Sequence, residues 1–129
     1  MAIVDLGKVT DEAFTLFSGD TISNVSLSQS SRAFDKLEIR YCGYNGTSPK
    51  TLIVYSPYGK RITLDIVEDS ANTSGGTRLR RATYDIGEYA ITLSSGFYPG
   101  YTLLNGATVS QSISSNPIHI TEVTGYVSV

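Results

Sequence analysis

Apolar and polar residues alternate with a period of two in one stretch of this chain after another. In "FDKLEIRY" Leu37, Ile39 and Tyr41 share one side, and Lys36, Glu38 and Arg40 share the other. "RITLDIVE" repeats the pattern, with Ile62, Leu64 and Ile66 opposed to Arg61, Thr63 and Asp65. "ATYDI" groups Ala82, Tyr84 and Ile86, and "EYAITL" groups Tyr89, Ile91 and Leu93. Successive side chains of a strand point to opposite faces, so this alternation specifies half-buried antiparallel strands. A helix would need an apolar stripe at i, i+3, i+4 and i+7, and none runs for three turns. Thr10–Phe17 and Ser30–Lys36 each allow one helical turn at most.

Turn chemistry divides the strands. Ser56-Pro57-Tyr58-Gly59 carries the residues of a type I turn, which predicts a hairpin between "TLIVY" and "KRITL". Asn105-Gly106 predicts a second hairpin, because both residues tolerate the positive φ of a type I′ turn. Pro99-Gly100 fits the centre of a type II turn, and "SANTSGGT" (70–77) reads as a loop. The expected strands cover 3–6, 13–17, 20–28, 36–44, 51–56, 60–68, 77–86, 88–95, 101–104, 107–113 and 117–128. Many short strands at this spacing predict an all-β fold, an antiparallel β-sandwich of jelly-roll-like form. The last strand changes phase: Ile118 and Ile120 share one face, whereas Val123, Val127 and Val129 fall on the other. That shift predicts a bulge near Thr121-Glu122.

A chain of 129 residues makes one domain, able to bury roughly two-thirds of its unfolded surface without a disulfide or metal. Residues 1–11 read as a short N-terminal arm or edge strand, and 12–129 as the single sandwich domain. Charge is sparse at 17% and the net charge is −2, which provides no field to attract nucleic acid or an anionic membrane. "MAIVDLGKVTDEAF" lacks a basic head and an apolar run, so neither a signal peptide nor membrane insertion is expected. The three sequons, starting at Asn24, Asn45 and Asn72, read as chance products of a Ser/Thr/Asn-rich chain.

Catalytic chemistry finds little to work with. Nucleophile-elbow, P-loop, HExxH and dinucleotide motifs are all absent, so no enzyme activity and no cofactor are expected. Cys42 is the only cysteine and His119 the only histidine, 77 positions apart. Cys42 reads as an inert, half-buried thiol, because a catalytic cysteine needs a base beside it. His119, flanked by core isoleucines, should point to the polar face and bond a neighbour there. The carboxylates show no metal-ligand spacing, so no metal is expected.

Two features remain as candidate contacts for a ligand or partner. Tyr44, Asn45, Phe97, Tyr98 and Tyr101 lie in or beside turns, where aromatic rings suit sugar or protein contacts. The alternative is that the rings are sheet surface or oligomer interface. Arg78 and Arg80 share a strand face, and Arg81 takes the other. They suit phosphate or sulfated sugar; the alternative, which we favour, pairs the arginines across strands with acids such as Asp65, Glu68 and Asp69.

Three further stretches carry a resemblance. "LFSGDTISNVSLSQSSRAFDKLEIRY", the "YSPYGKRITL" turn and the terminal "IHITEVTGY" together resemble a family of small β domains in bacteriophage structural proteins. Such domains form tail-fibre and receptor-binding tips, head fibres and decorations. The resemblance implies a non-enzymatic virion protein, commonly a homotrimer, that attaches to capsid, tail or fibre proteins. It also implies localisation to the virion after synthesis in the host cytoplasm. With little chain ahead of the domain, the role expected is a stand-alone component held by its N-terminal arm. The alternative from a different class is a lectin-like module whose tyrosine-rich loops bind host surface glycan.

Overall fold

A computed structural model describes residues 11–70, 76–94, 100–104, 108–111 and 116–128. The expected strand at 3–6 and most of the N-terminal arm lie outside these residues. Ten strands run along the described chain. They are β1 (Asp11–Thr21), β2 (Val25–Ser26), β3 (Lys36–Cys42), β4 (Lys50–Tyr55), β5 (Arg61–Ser70), β6 (Gly76–Ile86), β7 (Ala90–Leu93), β8 (Gly100–Leu104), β9 (Thr108–Gln111) and β10 (His119–Ser128). Helical structure among the described residues is limited to the 3-10 turns Ser31–Ala33 and Tyr44–Gly46. None of it is long or apolar enough to cross a membrane.

The strands form two antiparallel sheets. The first has the order β1-β10-β3-β4. In the second the order is β2-β7-β6-β8-β9, with β5 added to β6. Because β5 occupies one edge of β6 along its length, β7 and β8 share the other edge, at residues 84–86 and 77–80 of β6. The all-β sandwich expected from the alternation is what the chain forms. A jelly roll, eight strands in two Greek keys, is a finer description that this strand order does not establish.

Period-two patterning decides what is buried. Leu37, Ile39 and Tyr41 of β3 face inward with Ile120 and Val123 of β10 and Val54 of β4. Opposite them lie Ile62, Leu64 and Ile66 of β5, Ala82, Tyr84 and Ile86 of β6, and Ile91 of β7. Together with Leu16, Val25, Leu27, Phe34 and Ile118 these make one cluster. Each buried aliphatic side chain contributes about 1.5–3 kcal/mol.

The anticipated bulge is present: the β10–β3 register slips between Ile120 and Glu122, which returns Val123 to the core. Opposite it, β1 slips between Ser18 and Thr21. The expected strand 20–28 shortens to the two residues of β2.

The hairpin expected at Ser56–Gly59 is instead an arch between the sheets. β4 pairs with β3 and β5 with β6, so the two strands that the turn joins do not pair with each other. The turn that forms is shifted by one residue from the expected Ser56–Gly59: it runs from Pro57 to Lys60, with the Lys60 amide donating to the Pro57 carbonyl at 3.1 Å and Gly59 as its third residue. The arch bonds in both sheets: the Ser56 amide donates to Asp35 O, and the Gly59 amide to Ile86 O. Positive φ at Ser56 (47°) and Gly59 (81°) swings the chain across, and Pro57 is fully buried beneath it. At the second expected hairpin β8 and β9 do pair, from Tyr101↔Gln111 to Leu104↔Thr108. Its Asn105-Gly106 turn, Pro99 of the type II turn and residues 71–75 of the loop lie outside the described residues.

Buried polar groups are paired where the sheets meet. Asn116 donates from Nδ2 to Tyr84 Oη and to Ile22 O, both at 2.8 Å, and its Oδ1 accepts from the Ile118 amide. Burial pushes the Tyr84 phenol up to about 12, against a smaller opposing effect of the Asn116 hydrogen bond. Tyr41, whose hydroxyl donates to Asp65 O, is raised in the same direction, first by burial and then by the Asp65 charge. Above pH 10 the unfolded chain therefore releases phenolic protons that the folded chain keeps. Stability is intact below about pH 10 and falls as the pH climbs toward 12, with Tyr84 contributing about 2–3 kcal/mol of the loss. Urea midpoints measured from pH 9 to 12 should fall along this window, less steeply in Tyr84→Phe. A flat wild-type profile would contradict the assignment.

Candidate functional site

Five of the residues singled out from the sequence, Tyr44, Asn45, Arg78, Arg80 and Tyr101, fall within the described strands and turns. Tyr44 and Asn45 occupy the turn that follows β3, closed by Gly43 N donating to Thr47 O at 2.7 Å. Asn45 is exposed in the left-handed region (φ 55°), which asparagine tolerates better than most residues. The turn leads into Lys50, whose Nζ lies 3.9 Å from Asp65 Oδ1 in the other sheet. Asp65 in turn stands opposite Arg81 on β6. Next along the same ladder Arg80 pairs with Ile66 and Gly100, and Arg78 with Glu68 and Thr102. Tyr101 pairs with Leu79 and Gln111. Thus Arg78, Arg80 and Tyr101 lie on paired strands, β6 and β8. Phe97 and Tyr98 lie outside the described residues.

This geometry bears on the arginine cluster. The register sets Arg81 against Asp65 and Arg78 against Glu68, opposite charges directly across the ladder. Arg81 Nη2 approaches Asp65 Oδ2 to 3.8 Å. Both groups are well exposed, so such a pair contributes at most about 1 kcal/mol and serves register more than stability. Arg80 sits on the face of β6 that carries Ala82 and Tyr84, and is half-buried.

One arrangement was not legible in the sequence. His119 and Cys42 are direct partners in the β10–β3 ladder, on the outer face of the first sheet. His119 Nδ1 lies 2.7 Å from Asp20 Oδ1, the neighbour bond expected for it. The side chains of three adjacent strands thus follow one another as carboxylate, imidazole and thiol. Cys42 itself is only 6% exposed. Beside it Arg40, Lys50, Thr51 and Thr121 help to line an open cleft of about 440 Å³. Among the described residues no group of three or more His, Cys, Asp and Glu could hold a metal. His119→Ala should leave the fold intact, and its melting temperature at pH 7 within a few degrees of wild type, because the bond it loses is with an exposed carboxylate. A large drop in melting temperature would make the imidazole a structural keystone.

The outer face of the first sheet is laid out in rows. Arg40 bridges Glu38 and Glu122 at 3.2 and 3.3 Å. Lys36 Nζ lies 5.1 Å from the Tyr126 ring centre and 6.0 Å from that of Tyr55. Burial and the neighbouring Glu38 carboxylate raise the Tyr126 phenol. Toward β4 this polar face gives way to exposed Ile53 (45%) and Tyr55 (63%).

A second shallow cleft, of about 310 Å³, lies at the arch. There the Arg32 guanidinium stacks 3.7 Å over the Tyr58 ring, and Glu88 bonds Ser30 and approaches Arg32. Tyr58 and Tyr89 are both exposed on these turns. Tyr89, which the alternation groups with Ile91 and Leu93, is not on their buried face: it precedes β7, in the turn after β6, and is exposed. No family model and no curated protein matches the chain.

Proposed function

We propose that this protein is a non-enzymatic structural component of a bacteriophage particle, a head fibre, decoration or tail-fibre tip that self-assembles and attaches to other virion proteins. The observation that carries the reading is the exposed apolar margin of the first sheet, Ile53 and Tyr55 on an edge strand. Large apolar side chains outside the core mark contact surfaces when they cluster. A second support is that parts of the stretches resembling phage β domains are neighbours in one sheet, while "YSPYGKRITL" crosses to the other. Leu16–Gly19 lies in β1, Lys36–Ile39 in β3 and His119–Tyr126 in β10, three neighbours in one sheet. The test is to purify particles on a density gradient from the source culture and look for peptides of this chain by mass spectrometry. Peptides at constant stoichiometry with the particle support the role, and their absence from the particle refutes it.

A lectin-like reading is favoured separately by the arch, where Tyr58, Arg32 and Glu88 combine aromatic area with charged hydrogen-bonding groups. A glycan array on which wild type binds a sugar and Tyr58→Ala loses it would support this alternative. A blank array would remove it.

A further inference from the structure

We propose that β4 is a self-pairing edge: two copies of this chain join β4 to β4 antiparallel, across a two-fold axis at Ile53, into one continuous sheet. The proposal deepens the self-assembly part of the reading above and rests on it.

Unpaired strand edges invite pairing with another strand, so proteins usually guard them with charges, bulges, shortness or a covering segment. Edges β1, β2 and β5 are guarded in these ways. β1 carries two register shifts, and its Leu16 and Thr15 carbonyls accept from the amide and hydroxyl of Ser28. β2 has only two residues. β5 directs Arg61 and Asp65 outward. By contrast β4 runs in unbroken register with β3 from Lys50↔Tyr41 to Tyr55↔Lys36. Its other side has no strand partner among the described residues; only its last carbonyl there, that of Tyr55, is covered, by a hydrogen bond from Lys60 Nζ that the partner's Thr51 amide would replace. From Thr51 to Gly59 the sequence contains no charge.

The occupant follows from the strand's own pattern. Antiparallel partners share a face, so a two-fold axis through Ile53 sets it against the partner's Ile53 and Leu52 against the partner's Val54. Thr51 then faces the partner's Tyr55. Apolar groups meet on both faces: Ile53 and Tyr55 lose their exposure outside, and half-buried Leu52 is covered on the core side. The two Lys50 side chains fall at opposite ends of the new ladder, so no like charges oppose. A strand paired with its own copy has no further edge to offer, so the assembly closes at two rather than at the three implied by the resemblance.

The experiment uses the purified chain and needs no virion, so its failure is separable from failure of the particle assignment. Light scattering at about 100 µM, a hundredfold above a Kd of about 1 µM, should give twice the 13.9 kDa chain mass. Ile53→Lys and Tyr55→Glu, both at exposed positions, should give monomers that melt as cooperatively as wild type. Independently of their folding, Ile53→Cys treated with a short bis-maleimide should yield covalent dimer, whereas Thr15→Cys on the opposite edge should not. A wild-type monomer or trimer, a dimer that survives both edge variants, or equal crosslinking at Thr15 would each overturn the proposal.

Discussion

Truncation after Ser115 should leave the chain unfolded or insoluble. β10 is not an appendage: it lies between β1 and β3 and bonds to both over most of its length. Removing it takes Ile118, Ile120 and Val123 out of the core, each fully buried. At about 1.5–3 kcal/mol per side chain, their loss alone rivals the roughly 5–15 kcal/mol by which a domain is stable. Two further losses follow. β1 and β3 become open edges, and Tyr84 loses the Asn116 amide that satisfies its buried hydroxyl. The far end is fixed as well, with Ser128 N donating to Asp35 Oδ2 at 2.7 Å. Far-UV circular dichroism and thermal melting of the truncated chain test the point. A cooperative melt near the full-length temperature would show that β1 and β3 can close the sheet without it.

The interior of this strand was legible because local pattern carried the information. Alternation gave the inward residues of β3, β5 and β6 and Ile91 of β7, but misplaced Tyr89, which is exposed ahead of β7; the phase change at Thr121-Glu122 revealed the bulge. Partner choice was not legible in the same way. Ser56-Pro57-Tyr58-Gly59 has the chemistry of a turn, and a turn formed one residue further on, but the same residues serve a hairpin or an arch. Which one results depends on whether β4 finds β3 or β5, a non-local competition that no short stretch records. The candidate site suffered for the same reason. The cross-strand pairing of Arg81 with Asp65 followed from composition near one loop, within reach of sequence reasoning. The meeting of Cys42 with His119, and of Arg32 with Tyr58, depends on strand order and the arch.

The second large effect concerns Gly125, a residue type that in a strand interior ordinarily weakens it. The structure gives it a packing role. It faces inward on β10 between Phe14 of β1 and Leu37 of β3. A Cβ at this position would fall 2.6 Å from Phe34 Cδ1 and 2.7 Å from Cγ. Contacts that short require the ring to move, and the ring is confined. Phe34 is 6% exposed and stacks at a tilt against Phe14, with centroids 5.9 Å apart. Overpacking of this kind costs about 1–3 kcal/mol, so Gly125→Ala should lower stability by that amount and Gly125→Val by more. The cause is separable from backbone preference by a double-mutant cycle in urea. Phe34→Leu alone loses packing, but in the Gly125→Ala background it also relieves the clash. The double variant should therefore be more stable than the sum of the single changes, by a coupling of about 0.5–3 kcal/mol. Strict additivity, or a Gly125→Ala change within about 0.5 kcal/mol of wild type, would mean that the ring yields freely and that the glycine is not required for space.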